Sequence, residues 1–453
     1  SGARAQLGSQ AYSLLPSLCW FNASDAFLHL LCGIGSLLSI LLVLGFAPIL
    51  CLILLFICYL SLAVAGQDFL SFQWDILLLE TGFLAIFFAP AEFWLSARCK
   101  KPVSGAGLFL LKLLLFKLMF MSGVVKLTSH DESWWNLSAL DYHYWSQPLP
   151  TVFAWWADKH PEWFKEFSVG FCLVVEIIVP FFIWTPRRLR LMAAGLLIAL
   201  QIAIALTGNY CFFNLLTITL CLLLIDDASL PRRRWHRVKM EGPALAGPST
   251  PASQESRSPM HWISATARSL PVAVVIIVTL PLNAWQIFSA VKPEAECPTA
   301  ISRLNELVER FRIVNGYGLF RVMTKDRREI VIEGSADGMN WRAYEFKWKP
   351  GDLTRTPGWC APHQPRLDWQ MWFAALSSVQ QNRWFLQLIG CLLENKKAVT
   401  RLLANNPFPQ NGPRYIRGRF YRYRFTSTPE RRQTGAWWRR EELGEYLPTV
   451  SLR

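Results

Sequence analysis

Long apolar stretches recur along this chain of 453 residues, and they constrain its fold more than any other feature of the sequence. A helix needs about 20 consecutive, mostly apolar residues to cross about 30 Å of hydrocarbon. Stretches near this length predict a polytopic α-helical membrane bundle with about eight spans. The predicted spans are residues 28–46, 49–65, 76–95, 107–127, 167–184, 191–206, 210–225 and 270–288.

The composition agrees with a membrane protein and argues against a nucleic-acid-binding protein. Hydrophobic residues make up 52% of the chain, and its 21 Trp suit the aromatic belts that form at membrane interfaces. The formal net charge is +14. Basic loops beside membrane spans account for this charge, and no nucleic-acid-binding motif is visible. Membrane lipid is therefore an expected partner, and nucleic acid is not.

Basic and acidic loops alternate between the predicted spans. Lys and Arg cluster at residues 97–101, 185–190 and 231–239, whereas the loop 128–166 carries six acidic residues against two lysines. Because cytoplasmic loops of membrane proteins are enriched in Lys and Arg, the basic loops are expected in the cytoplasm. The loop 128–166 and the chain after residue 290 are then expected on the non-cytoplasmic side.

The same pattern divides the chain into a membrane part and a soluble part. A Pro-, Ser-, Ala- and Gly-rich stretch before the last predicted span is expected to be a disordered cytoplasmic linker. The predicted divisions are a non-cytoplasmic N-terminal segment at 1–27, the bundle at 28–239, the linker at 240–268, the last span at 269–289 and a soluble non-cytoplasmic domain at 290–453.

The soluble C-terminal part is predicted to be an α+β domain. Short alternating apolar runs fill residues 310–350, with turn signals at Asn315-Gly316 and Asp337-Gly338, and they predict a small antiparallel β unit. Residues 366–405 have the apolar spacing of helices, and residues 414–425 predict a further strand.

Two predicted spans carry a charged residue near the middle of the hydrocarbon. Lys117 lies in the span 107–127 and Glu176 in the span 167–184. At 1.5 Å per residue the two lie at similar depth, and an unpaired charge there costs roughly 2.5–3.5 kcal/mol on insertion scales. We therefore predict a buried Lys117–Glu176 contact, with a purely structural packing pair as its plainer interpretation.

A second group of polar residues is expected where the span 107–127 meets the non-cytoplasmic surface. A partly desolvated lysine there could act as a base or as an anchor for a ligand, and an ordinary solvated membrane rim is the plainer interpretation. The predicted polar cluster comprises Asp68, Asp75, Glu80 and Lys126. If the protein is an enzyme, its candidate catalytic residues are Lys126, Glu80, His130 and Asp131.

Four segments resemble the lipase maturation factor family, and they span nearly all of the chain. They are GQDFLSFQWDILLLETGFLAIFFAP at 66–90, KLMFMSGVVKL at 117–127, RLDWQMWFAAL at 366–376 and YRYRF at 421–425. The resemblance implies a polytopic membrane protein of the endoplasmic reticulum whose C-terminal domain faces the lumen, or of the cytoplasmic membrane in a bacterium. It also implies a role in the folding and assembly of secreted lipases, which are then the expected clients. The family is similar in having a further hydrophobic span before the region where this chain begins.

A shorter likeness supports a different function. SGVVKL at 122–127, followed by an acidic aromatic loop, is similar to a segment of vitamin K-dependent carboxylases in which a lysine is implicated as catalytic. Lys126 occupies the corresponding place. The alternative to a maturation factor is therefore a membrane enzyme with a carboxylase-like bundle and a pocket around Lys126. A transporter lacks support, because the sequence has no evident internal repeat.

A maturation factor that acts by binding needs exposed surface for its clients rather than a catalytic motif. Aromatic residues outside the spans could supply that surface, although burial in a core or in the lipid interface is the plainer interpretation. The candidate client surface comprises Trp134, Trp135, Trp369, Trp372, Trp437 and Trp438. The arginines of the predicted strand form either a solvated face or a contact for acidic clients or lipid headgroups. They are Arg417, Arg419, Arg422 and Arg424.

The cysteines do not form a pattern typical of a disulfide framework or a metal site. Six of the 11 lie in apolar runs. Cys297 and Cys360 lie outside the predicted spans and could form a disulfide if that side is oxidising, and two free thiols remain the open alternative. No Cys or His spacing suggests a metal, and no cofactor is expected.

Overall fold

The fold comprises a helical bundle followed by a domain that contains a β-sheet. In this computed structural model, residues 8–94, 103–226 and 259–452 are described. The basic loops predicted at 97–101 and 231–239 lie outside these residues, and so does the part of the predicted linker that precedes residue 259.

Six helices of the described residues are long and apolar enough to cross a membrane. Together with the sheet of the C-terminal part, they confirm the class of a multi-pass helical protein with an α+β domain, but they do not confirm the predicted count of about eight spans. The six candidate spans are Asp25–Val43, Pro48–Leu70, Gly105–Thr128, Glu162–Trp184, Arg187–Thr207 and Leu270–Val291.

The other two predicted spans are shorter helices. Gln73–Phe88 has 16 residues and Phe213–Leu222 has 10 residues. At 1.5 Å per residue they rise about 24 and 15 Å, which is less than the hydrocarbon thickness of about 30 Å. The second helix begins late because Asn209 is held outside it, where its side-chain oxygen accepts hydrogen bonds from the backbone N–H groups of Cys360 and Ala361.

The helices of the bundle and of the loop 128–166 are numbered in chain order. The last of them begins inside the stretch 240–268, so the linker prediction is wrong for the residues from Pro259 onward. The helices are α1 Gln10–Leu14, α2 Asp25–Val43, α3 Pro48–Gly66, α4 Gln73–Phe88, α5 Gly105–Thr128, α6 Glu132–Trp135, α7 Ala139–Ser146, α8 Val152–Asp158, α9 Glu162–Ile177, α10 Arg187–Thr207, α11 Phe213–Leu222 and α12 Pro259–Val291.

Helix α5 lies at the centre of the bundle and positions the candidate site. Ser104 caps its N-terminus, because the Ser104 hydroxyl accepts a hydrogen bond from the Gly107 N–H at 3.1 Å. Two glycines allow neighbouring segments to approach closely. A Cβ on Gly107 would lie 2.6 Å from the Phe87 carbonyl oxygen, and a Cβ on Gly123 would lie 2.8 Å from the Glu176 Cβ. Helix α5 therefore meets α4 near its start and α9 near its end.

The C-terminal part contains a four-stranded antiparallel sheet and a two-stranded sheet. The strands of the first are, in order, 342–343, 327–335, 415–425 and 438–451, and those of the second are 345–346 and 403–405. The antiparallel β unit is thus confirmed for residues 327–346, and so is the strand at 414–425. The elements are α13 Thr299–Val308, β1 Arg327–Ser335, β2 Arg342–Ala343, β3 Glu345–Phe346, α14 Arg366–Ala374, α15 Arg383–Leu393, α16 Lys397–Thr400, β4 Leu403–Asn405, β5 Tyr415–Phe425, α17 Thr428–Thr434 and β6 Trp438–Ser451.

The strand prediction is wrong for residues 312–326, which connect α13 to β1 without forming a strand. The Asn315 N–H donates to the Glu80 carboxylate at 3.0 Å, and the Gly318 N–H donates to the Gln73 side chain at 3.1 Å. The alternating pattern of this segment therefore reflects packing against the membrane helices, because its polar groups bond to the bundle instead of to a neighbouring strand.

The C-terminal domain packs on the loop 128–166, so both lie at the same end of the bundle. Arg327 of β1 is fully buried, and its guanidinium donates to the carbonyl oxygens of Trp145 at 3.0 Å, of Pro148 at 2.8 Å and of Gln147. The position of this end on the non-cytoplasmic side of the membrane stays a prediction.

Candidate functional site

Helix α5 carries two lysines that are both buried and both paired with a carboxylate. The Lys117 ammonium lies 2.6 Å from a carboxylate oxygen of Glu80 on α4. The Lys126 ammonium pairs with a carboxylate oxygen of Glu176 on α9. A buried charge is tolerated when it is paired in this way, because the partner replaces the lost hydration.

The predicted Lys117–Glu176 contact is therefore wrong, and each residue has a different partner. The close approach of α9 to α5 at Gly123 brings Glu176 to the level of Lys126 rather than of Lys117. Depth estimated from residue counts assumes that both spans start at the same level, and α9 begins at Glu162, before the apolar stretch used for that estimate.

The Lys117–Glu80 pair joins three helices of the bundle to the C-terminal domain. Lys117 and Glu80 are 0% and 1% exposed, and the ammonium also donates to Gln286 of α12 at 3.4 Å. The second Glu80 oxygen accepts hydrogen bonds from Asn315 and, at 2.8 Å, from the Tyr317 hydroxyl. Burial and the neighbouring carboxylate raise the pKa of Tyr317, so this hydroxyl keeps the proton that it donates.

The Lys126–Glu176 pair has different surroundings. Both residues are 5% exposed, and the ammonium also donates to the Ser122 carbonyl oxygen at 3.1 Å. It lies 5.2 Å from the ring centre of Trp134. The Ser122 carbonyl and the Glu176 carboxylate accept hydrogen bonds from two of the three N–H groups of the Lys126 ammonium. The pair borders a cavity instead of being enclosed by protein on all sides.

This cavity has a volume of about 480 Å³ and lies between the bundle and the loop 128–166. Helices α5, α9, α10 and α11 form its walls, and α7, α8 and the segment Leu319–Phe320 of the C-terminal domain cover it. Most of its lining is apolar. The polar side chains that line it include Ser122, Lys126, His143, Tyr144, His160, Ser168, Cys172, Glu176, Gln201, Thr207, Tyr210, Asn214 and Thr217.

His143 is a neutral member of this lining. Burial, together with the positive charge of Lys126, lowers the pKa of His143 to about 4. Its Nε2 lies 3.2 Å from the Tyr210 hydroxyl, which donates to Gln147 at 2.6 Å. At neutral pH the cavity therefore contains a paired lysine and glutamate and otherwise uncharged hydrogen-bonding groups.

The predicted polar cluster of Asp68, Asp75, Glu80 and Lys126 does not form. Glu80 binds Lys117 and Lys126 binds Glu176. Asp75 is fully buried and accepts hydrogen bonds from Arg366 at 2.8 and 3.0 Å. The backbone carbonyl of Asp68 accepts a hydrogen bond from Gln370. Glu80 and Asp75 are thus each paired with a cation from another part of the chain, because a buried carboxylate without a partner is costly.

The four candidate catalytic residues are likewise separated. Lys126 and Glu80 belong to different ion pairs, and His130 is exposed. Asp131 instead holds the C-terminal domain, because its carboxylate accepts hydrogen bonds from the Met323 and Ser133 N–H groups. Burial alone would raise the pKa of Asp131, but these hydrogen bonds lower it overall. The structure therefore does not bring Lys126, Glu80, His130 and Asp131 together as one catalytic group.

The candidate client surface is wrong for five of its six tryptophans. Only Trp135 is exposed, at 65%, and Trp134, Trp369, Trp372, Trp437 and Trp438 are buried. The buried indoles join the domain to the bundle and the loop. Trp372 Nε1 donates to the Ser146 carbonyl at 2.8 Å, and Trp369 packs edge-on against Trp74 of α4 at 4.8 Å. Aromatic residues of this kind fill an interface between parts of the chain.

The arginines of β5 face carboxylates of the two neighbouring strands. Arg417 lies 2.8 Å from Glu333 of β1, and Arg419 pairs with Glu442 of β6. Arg422 lies 2.9 Å from Asp326 and 3.0 Å from Glu441. Arg424 lies 5.2 Å from the ring centre of Trp145. Most of the positive charge of this strand is therefore balanced within the sheet.

Of the two alternatives left open for Cys297 and Cys360, a disulfide or two free thiols, the structure has the free thiols. Cys297 is exposed and Cys360 is buried. The backbone around Cys360 is held against the bundle by Asn209, and burial raises the pKa of the Cys360 thiol to about 12. Within the described ranges, no group of three or more His, Cys, Asp or Glu side chains is arranged to hold a metal.

Sequence reasoning missed a buried charge network in the C-terminal domain. Glu329 of β1 is fully buried and lies 2.7 Å from Arg327 and 2.8 Å from Lys349. Arg327 and Glu329 are two residues apart, so they lie on one face of the strand. Opposite charges at this spacing inside an apolar strand are the signal that could have revealed the pair. The amides Gln201 and Asn214, hydrogen-bonded at 2.8 Å inside apolar helices, are a similar signal.

Known proteins match this chain over nearly its whole length. The model of the lipase maturation factor transmembrane domain matches residues 3–232, and that of the lipase maturation factor C-terminal domain matches residues 313–448. No solved structure matches.

Curated relatives agree with the family models. Lipase maturation factor 2 of Xenopus tropicalis is 36% identical over 96% of this chain and 75% of its own length. Lipase maturation factor 2 of Gallus gallus is 37% identical over 97% of this chain and 74% of its own length. Lipase maturation factor 1 of Mus musculus is 35% identical over 98% of this chain and 78% of its own length. The chain thus belongs to the lipase maturation factor family.

Proposed function

We propose that this protein is a membrane-bound maturation factor that assists secreted lipases to fold and assemble, and that it acts by binding them. The observation that carries the proposal is the match to relatives named lipase maturation factor over both the bundle and the C-terminal domain. In a eukaryote the protein resides in the membrane of the endoplasmic reticulum, with membrane lipid as its surroundings and the C-terminal domain in the lumen.

A rigid platform at one end of the bundle supports a mechanism of binding. The loop 128–166 and the C-terminal domain are joined by Arg327, by Trp372 and by the hydrogen bond from the Met323 N–H to Asp131. A surface that is already ordered loses less conformational entropy when a client binds. We assign client contact to this platform as a whole, because its single tryptophans are mostly buried.

The separation of Lys126, Glu80, His130 and Asp131 argues against the enzyme alternative. A general base must lie within hydrogen-bonding reach of the group on which it acts. Lys126 is engaged with Glu176, and the other three residues have roles elsewhere in the fold.

Two neighbouring arginines allow a controlled test of the contact between the C-terminal domain and the loop 128–166. Arg327 and Arg328 are neighbours on β1, but Arg327 is buried and joins the loop, whereas Arg328 pairs with Asp326 near the surface at 3.2 Å. We expect Arg327→Met to reduce secreted lipase activity, and lipase co-purification, about ten-fold or more. The substitution leaves the buried carbonyl oxygens of Trp145, Gln147 and Pro148 without their donor, and each unsatisfied buried acceptor costs about 1–3 kcal/mol. The Arg328→Met control should have little effect, since an exposed ion pair contributes about 0–1 kcal/mol.

The assay uses cells that lack endogenous lipase maturation activity and that secrete a reporter lipase. Secreted activity is divided by lipase antigen and compared at equal amounts of membrane-inserted maturation factor. Full lipase activity and co-purification with Arg327→Met, at a normal expression level, would contradict the assignment of client binding to the joined platform.

A further inference from the structure

The cavity beside Lys126 suggests a ligand of its own. Its volume of about 480 Å³ falls within the range of about 300–1,000 Å³ that is typical of small-molecule sites. A lining that is mostly apolar with a few convergent polar groups is also typical of such sites. This cavity serves no step of the proposed client binding.

The exposed side chains at the cavity mouth are apolar apart from His160. Phe153 and Trp156 of α8, Phe171 of α9 and Leu206 of α10 all line the cavity and are all exposed. Helices α9 and α10 belong to candidate membrane spans, so their exposed apolar side chains face hydrocarbon. A ligand therefore reaches the cavity from the lipid phase and brings an apolar chain with it.

The inner wall determines the kind of head group. Gln201, Asn214 and Thr217 supply uncharged donors and acceptors, and the two charged residues, Lys126 and Glu176, neutralise each other. A charged head group would be buried here without a counter-ion, which is unfavourable. An uncharged hydroxyl or ester carbonyl could instead accept a hydrogen bond from Lys126. Two of the three Lys126 N–H groups donate to the Ser122 carbonyl and to Glu176, and the third is available for the ligand.

We infer that this cavity binds an uncharged lipid with a single acyl chain and a head of hydroxyl and carbonyl groups. A single chain follows from the volume, because sites of this size enclose ligands of the size of a drug, whereas a two-chain membrane lipid is considerably larger. The inference is independent of the maturation role, and either can fail without the other.

The test uses the full-length protein in phosphatidylcholine nanodiscs and a photoreactive, alkyne-tagged monoacylglycerol as the probe. We expect saturable labelling that unlabelled monoacylglycerol competes away and that maps to peptides of α9 and α10. The comparison probes are a photoreactive fatty acid, which is anionic, and a photoreactive lysophosphatidylcholine, which is zwitterionic. Both should label at least about five-fold less, because a charged head is not matched inside the cavity.

Two alanines of α10 provide a matched pair of variants. Ala203 and Ala199 are both exposed, one turn apart, but only Ala203 lines the cavity. We expect Ala203→Trp to lower monoacylglycerol labelling at least about five-fold by filling the mouth, and Ala199→Trp to leave it unchanged. Equal labelling of the two variants would overturn the site, since the probe would then report only the lipid-facing surface.

The saturation of labelling and the comparison of the three probes use the wild-type protein, so they test the inferred ligand class even if Ala203→Trp fails to fold. Labelling that does not saturate, or that is as strong with the fatty acid or lysophosphatidylcholine probe as with monoacylglycerol, would overturn the inferred ligand class.

Discussion

The two buried lysines of α5 have the same chemistry on the same helix but different surroundings. At Lys117 the partner Glu80 also accepts hydrogen bonds from Asn315 and Tyr317, so the C-terminal domain closes over the pair. At Lys126 the partner Glu176 borders a cavity. Of two charged residues within one membrane span, Lys117 therefore helps to hold the bundle and the C-terminal domain together, whereas Lys126 lines a cavity. The difference lies in what contacts the paired carboxylate, which is the C-terminal domain at Glu80 and the cavity at Glu176.

The largest expected effect is that of Lys117→Met. The substitution leaves the Glu80 carboxylate buried without its counter-ion, and breaking a buried pair in this way costs about 3–5 kcal/mol. Thermal unfolding in detergent, followed with a thiol-reactive dye that reports on the buried cysteines, measures the loss. The double variant Lys117→Met/Glu80→Gln should recover part of it. A single variant that unfolds at the wild-type temperature would contradict the role of this pair as a joint.

A smaller effect is expected for Lys126→Met. Here Glu176 lies beside a cavity that can admit water, so the remaining carboxylate is hydrated in part, and a cost of about 1–3 kcal/mol follows. The same unfolding assay checks the order of the two variants. If Lys126→Met destabilises the protein more than Lys117→Met does, the proposed difference between the two surroundings is wrong.

The smallest expected effect is on the pH dependence of the melting temperature, and it tests only the surroundings of Lys126, because His143 lines the cavity there. The pKa of His143 is lowered to about 4 from an ordinary value near 6.5, so the unfolded chain binds a proton at this residue before the folded protein does. Stability from this group is complete above about pH 6.5 and is lost as the pH falls toward 4. The melting temperature should therefore drop between pH 7 and pH 5, and His143→Phe should flatten that drop. His130→Gln, at an exposed histidine, is the control, and an unchanged slope in His143→Phe would refute the assignment.

The sequence allowed the class of the fold to be predicted but not its ion pairs. Apolar length and alternating runs are local properties, and they correctly predicted a multi-pass protein and the strand at 414–425. The partner of Lys117 depends on the relative heights of α4, α5 and α9, which packing at Gly107 and Gly123 sets. No local pattern encodes those heights.

The interface between the bundle and the C-terminal domain explains three other predictions that differ from the structure: the strand at 312–326, the exposed tryptophans and the span at 210–225. Residues 312–326 alternate like a strand because they pack on membrane helices, and Trp369 and Trp372 are buried because the domain rests on the bundle and on the loop. Phe213–Leu222 is short because Asn209 bonds to the chain at Cys360. In each case, a contact between residues far apart in the sequence decides a structure that the local pattern left open.

Lipase maturation by a variant without charge at the cavity tests the central claim of binding without catalysis most directly. Lys126→Met/Glu176→Gln removes both charges and leaves no buried charge unpaired, and such replacements are often nearly neutral for stability. In cells that lack endogenous maturation activity, we predict secreted lipase activity per lipase antigen within about two-fold of wild type, because client binding requires no chemistry at Lys126. A loss of about 100-fold or more, the size expected for a missing general base, in a variant that folds normally and still co-purifies with lipase, would contradict the account.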